Sequence, residues 1–116
     1  MKDGNGFVVV FMTAPDAGVA ATLAKTAVVE RLAACANIIG GVRSIYGWKG
    51  ELHDESEVMV IFKTVKNLLG GLEAHIRRNH PYEVPEFVAM DISSGLDDYL
   101  QWIVSSTDGG AGEGKD

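Results

Sequence analysis

The spacing of apolar residues changes period along the chain, and each change marks an element. Residues 7–12, FVVVFM, form an unbroken β-branched and aromatic run, the pattern of a strand covered on both faces. TAPD follows, with Pro15 suited to a first helical turn and Asp16 to its positive end. Val19, Leu23, Ala27 and Leu32, flanked by Ala20, Ala24 and Val28, then give one apolar helical face, predicting a helix that ends near Ala33–Cys35. A second β-rich run, ANIIGGVRSIYGW, is interrupted by Gly40, Gly41 and Gly47, which predict bulges or bends in one long strand. Gly50 supplies a turn, and ESEVMVIFKTV (55–65) returns as a strand. Leu68, Leu69, Leu72 and Ile76 predict a helix over 67–79, and EFVAMDI (86–92) a last strand. Leu96, Tyr99, Leu100, Ile103 and Val104 recur at helical spacing behind Asp97 and Asp98, predicting a final helix.

The order is β-α-β-β-α-β-α. It predicts an α+β fold, a ferredoxin-like βαββαβ sandwich with helices on one face of an antiparallel sheet and an extra C-terminal helix. The central hairpin is long for this frame. Residues 37–48, if extended, span about 40 Å, roughly twice an ordinary strand. Part of the ribbon must then overhang its own sheet, carrying Ile45, Tyr46 and Trp48 into water beside an unpaired edge. A closed symmetric oligomer that covers these residues answers both problems. Folding back at Gly40–Gly41 onto the monomer is the alternative.

Composition narrows the function classes. A chain of 116 residues makes one domain, expected over 7–105 between a flexible N-terminus (1–6) and a disordered C-terminal tail (106–116). The net charge of -6 argues against a nucleic-acid surface and leaves room for cations. The lone Cys35 excludes an internal disulfide and suits a reducing compartment. No apolar run approaches membrane-spanning length and no signal-peptide flanks are present, so the expected location is cytoplasmic.

The chemistry concentrates in NHPYEVPE (79–86). Pro81 and Pro85 stiffen the segment and bias His80 and Val84 toward extended backbone, which makes it a rigid connection able to fix His80, Tyr82, Glu83 and Glu86 in direction. Imidazole and carboxylate suit Cu(II), Zn(II) or similar ions, although the spacing matches no defined zinc motif. Glu86 is either a ligand or an acceptor for a neighbouring subunit. His75 reads as a solvated or hydrogen-bonded side chain, and His53 as a solvated hairpin tip. Cys35 reads as a small buried hydrophobe or, alternatively, a soft metal ligand. Lys63 could pair with Glu57 or Glu86 across a cleft between subunits, where Tyr82 also belongs. A Cys35–His80 nucleophile–base pair can be written, but nothing in the sequence brings the two within reach.

Six segments, TAPD (13–16), RLAACANI (31–38), SIYGWKGE (44–51), the Glu57 strand ending in FKT (62–64), HPYEVPE (80–86) and YLQWI (99–103), together resemble the CutA divalent-cation-tolerance family. The resemblance covers nearly the whole expected domain. It implies a ferredoxin-like subunit in a tight homotrimer built through its sheets, similar to the PII signalling proteins, with a role in tolerance to copper and other divalent metals. Some members bind metal ions, animal relatives are linked to acetylcholinesterase processing and membrane anchoring, and no common reaction is established. His80, Glu86 and Cys35 are the metal-ligand candidates it leaves. Met12 stands where relatives sometimes carry another thiol, and Asn79 where they can carry a second histidine, so both of those ligands are lacking here. The expectation is a non-catalytic trimer with no obligatory cofactor that binds Cu(II) or another divalent cation and has an unidentified protein partner. A PII-like trimer binding a small anion or a protein in its inter-subunit clefts is the alternative.

Overall fold

The computed structural model describes residues 2–108; Met1 and residues 109–116, which include most of the expected tail, lie outside them. In chain order the elements are β1 (Lys2–Asp3), β2 (Phe7–Ala14), α1 (Ala17–Val29), β3 (Cys35–Trp48), β4 (Glu51–Val65), α2 (Leu69–Asn79), β5 (Phe87–Asp91), β6 (Ser94–Gly95) and α3 (Asp97–Ser105), with a short 3-10 turn at Lys66–Leu68. The main sheet has the antiparallel order β3-β4-β2-β5, and β1 pairs with β6 apart from it. This is the ferredoxin-like α+β arrangement expected from the element order.

Alternation along the strands divides the sheet into two unlike faces. Val8, Val10, Met12 and Ala14 of β2, with Val60 and Phe62 of β4, pack under Leu23, Ala24 and Ala27 of α1 and Leu72 and Ile76 of α2. The opposite face carries Val9, Phe11, Met59 and Ile61, only half-buried, with Ile39, Val88 and Met90 about half exposed. Only its far end is covered, where Leu100 and Ile103 of α3 meet Phe7 and Val65. A broad apolar sheet surface is therefore open to solvent in the single chain.

The first helix begins and ends differently from its sequence pattern. Asp16, not Pro15, marks the start: its backbone is extended and its carboxylate accepts the Val19 N–H at 2.8 Å, an N-cap bond. The helix stops at Val29, short of Ala33–Cys35, because Arg31 turns into the left-handed region at φ 62°. Its guanidinium donates to the carbonyls of Ser105 and Thr107, contacts too distant in sequence for a helical period to reveal. Order also extends beyond 7–105: Lys2–Asp3 is a paired strand, and Thr107 is fully buried.

The hairpin is built by two glycine-dependent features. Lys49 and Gly50 both take positive φ, 53° and 80°, forming a two-residue turn between Trp48 and Glu51. Between Ile39 and Val42 the register slips, three steps on β3 against two on β4, with Gly41 at φ 78°. That extra residue reverses which side chains face each way. Ile39 lies on the open face, but beyond the bulge Val42, Tyr46 and Trp48 take that side and Arg43 and Ile45 the other. Because β2 pairs with β4 only from Val58 to Val65, residues 42–57 pair solely with each other and overhang the sheet. The molecule accordingly measures 49 × 27 × 22 Å.

Candidate functional site

The 80–86 connection crosses the root of this ribbon and closes a cleft of about 500 Å³ against it. Thr13, Tyr46, Trp48, Glu57, Tyr82 and Glu86 line it. Tyr82 hydroxyl donates to Glu57 Oε2 at 2.6 Å, and Tyr46 hydroxyl to Glu55 Oε1 at 2.7 Å. Glu57 is 7% exposed, a carboxylate sunk into the cleft floor. Burial, then the hydrogen bond to Glu57, pushes the Tyr82 phenol well above its ordinary range; the bond to Glu55 pushes Tyr46 up to about 12. Partial burial and the nearby Glu57 charge raise the Glu86 carboxyl as well. Negative charge is thus concentrated here, with Lys49 paired to Glu83 at 3.4 Å at the rim.

His80 holds the cleft from behind. A carbonyl only accepts, so its Nε2–H donates to Thr13 O at 2.8 Å; an amide only donates, so Nδ1 accepts the Tyr82 N–H at 3.1 Å. Both ring nitrogens are therefore committed inside a buried, neutral imidazole. The structure corrects the expectation that His80 ligates metal: it positions Tyr82, and through Tyr82 the Glu57 carboxylate.

The other candidates lie elsewhere. Cys35 pairs with Lys63, while Thr13, the His80 partner, pairs with Met59. Four residues along a strand separate these levels by about 13 Å. His80, Glu86 and Cys35 do not form one ligand set, and the Cys35–His80 catalytic pair is likewise excluded by that distance. Met12 is buried beneath the helices, on the sheet face opposite Cys35, so the two sulfurs do not converge. Lys63 donates to Asn37 Oδ1 at 2.8 Å, and within one chain it shares no cleft with Tyr82. Tyr46 and Trp48 wall the cleft, whereas Ile45, 61% exposed, points to the ribbon's other side.

Among the described residues no three His, Cys, Asp or Glu side chains converge as a metal centre. The cleft pair Glu57 and Glu86 fits a labile divalent cation held through oxygen, but not the nitrogen and sulfur set that copper favours. Sequence reading named Glu57 only as a partner for Lys63, not as the cleft's central carboxylate, because its facing depends on strand parity. The available signal was Glu57 preceding the apolar run VMVIF.

Fold and site together define a half-open ferredoxin-like chain with an acidic, aromatic cleft beneath an overhanging hairpin. The chain belongs to the CutA1 divalent ion tolerance protein family, whose pattern matches residues 8–106. Protein CutA, chloroplastic, of Arabidopsis thaliana is 43% identical over 100 residues, covering 86% of this chain and 55% of its own. The chain thus spans about half the length of that plant relative. The divalent cation tolerance protein of Thermus thermophilus superposes with a TM-score of 0.85 at 42% identity, over 87% of this chain and 98% of that one. A periplasmic divalent cation tolerance protein CutA from Archaeoglobus fulgidus gives 0.84 at 29% identity, over 86% and 97%. Chloroplastic and periplasmic relatives overturn the cytoplasmic expectation, since the fold serves several compartments. Among the described residues no helix is long and apolar enough to cross a membrane.

Proposed function

We propose that this chain acts as a non-catalytic homotrimer in divalent-metal tolerance, binding copper or another divalent cation at modest affinity. Family membership supports the tolerance role, and relatives at about 40% identity carry divalent-cation tolerance in their names. The observation that carries the binding reading is the Glu57–Glu86 cleft: burial and, next, the Glu57 charge lift the Glu86 carboxyl, and a cation there would offset both. The open apolar sheet face and the overhanging ribbon support the trimer, because both are surfaces that further copies would cover. A cleft lined by Glu57, Glu83 and Glu86 disfavours a small anion, which weakens the PII-like alternative at this location.

Calorimetric titration of the full chain with Cu(II) and Mn(II) tests the reading. Glu86→Gln is expected to weaken Mn(II) binding, the ion best matched to oxygen donors. Binding unchanged by that substitution would remove the cleft as the site.

A further inference from the structure

The cleft has walls that a hydrated metal ion leaves unused. Besides its carboxylates it is lined by the rings of Tyr46, Trp48 and Tyr82 and by Pro81, Val84 and Pro85. Tyr46 and Trp48 are 38% and 40% exposed, so ring surface stays open above the floor. Aromatic faces carry a negative quadrupole that attracts cations, and the proline and valine surfaces favour methylene groups. The chain's own Lys49 shows what this combination selects. Its ammonium lies 5.7 Å from the Trp48 ring centroid, within cation–π reach, and 3.4 Å from Glu83 Oε1. A primary alkylammonium is thus already held between a ring and a carboxylate at the rim. Both side chains of that ion pair are largely exposed, 68% and 72%, so the contact is weak and exchangeable. Deeper in, the buried Glu57 takes the Tyr82 hydroxyl on Oε2. A carboxylate accepts up to about four hydrogen bonds, so Oε1 has capacity for a further donor.

We infer that the cleft binds a linear aliphatic polyamine, an organic cation whose ammonium groups are separated by methylene chains. One ammonium, with three N–H donors, sits on the floor against Glu57 and Glu86. The methylene chain runs over the Trp48 and Tyr82 rings. A second ammonium takes the place of Lys49 Nζ between Trp48 and Glu83 at the rim. The linear shape follows from the two carboxylate levels, one buried at Glu57 and one exposed at Glu83, with apolar wall around them. This inference shares the cleft with the metal reading but does not depend on it: a metal ion needs the carboxylate oxygens, whereas a polyamine also needs the rings.

The test is calorimetric titration of the full chain with spermidine at physiological ionic strength, where attraction between exposed charges is screened. Saturable binding is expected. Trp48→Leu should weaken it about five- to thirtyfold, the contribution of the ring face, while leaving Mn(II) affinity unchanged. Lys49→Gln should tighten it by up to about fivefold, because Glu83 is freed, and a merely structural role for Lys49 predicts no such gain. Glu73→Gln, on α2 and outside the cleft lining, should change nothing. Circular dichroism checks the fold of each variant. Absence of saturable spermidine binding would overturn the site. So would binding that Trp48→Leu spares and that Glu73→Gln weakens as much as Glu83→Gln, the behaviour of a general attraction to a chain of net charge -6. Spermidine binding without Mn(II) binding removes only the metal reading of the cleft, and Mn(II) binding without spermidine binding removes only the polyamine site.

Discussion

Glu86 shows how one carboxyl joins stability to pH. Its proton is held more tightly in the folded chain than in the unfolded one, so stability from this group is greatest at low pH and falls as pH rises through the raised folded value. Glu86→Gln removes a partly buried charge and its repulsion with Glu57 and is expected to raise the melting temperature at pH 7, with the gain vanishing below about pH 4, near the ordinary carboxylate range. A melting temperature lower than wild type at pH 7 would show that Glu86 has an unrecognised favourable partner. His80 makes the opposite case. His80→Ala leaves the Thr13 carbonyl without its buried donor, at a cost of about 1–3 kcal/mol in chemical denaturation. A specific loss of copper binding without destabilisation would restore His80 as a ligand. The sequence marked His80 as important but not why. Its chemistry is decided by Thr13, 67 positions away, and no local spacing contains that contact.

At the scale of elements, the helices and strands were legible because periodicity reports burial directly. Val8, Val10 and Met12 face α1 and α2 as a packed core, and Leu100 and Ile103 anchor α3 as their spacing required. The end of α1 was not legible, since Arg31 is held by carbonyls from the far end of the chain. Gly40 and Gly41 correctly signalled a bulge, but its consequence for the site needed the register: one inserted residue turns Tyr46 and Trp48 toward the cleft. Gly41→Ala places a side chain in the left-handed region, costing about 1–2 kcal/mol if the bulge is kept. The expected result is a lower melting temperature and a change in Trp48 fluorescence as the ribbon re-registers. An unchanged melt and spectrum would mean that the bulge does not set which way the ribbon faces.

The whole molecule is shaped by what the single chain leaves uncovered. Phe11, Ile61, Val88 and Met90 lie on the sheet face that only α3 partly shields, and the ribbon of residues 42–57 has no strand partner beyond itself. Such a surface is large for a monomer and continuous with the cleft. Met90→Glu, placed on an exposed strand position, is expected to dissociate the proposed trimer with little effect on the monomer's fold, because the charge would burden only the covered state. Size-exclusion chromatography with light scattering checks this, and an assembly unaffected by the charge would place the contact elsewhere. Sedimentation equilibrium of the unmodified chain at micromolar concentration is the most direct measurement. One species of three times the 12.4 kDa chain mass is the expected result, while a stable single-chain mass across the concentration range would contradict the trimer.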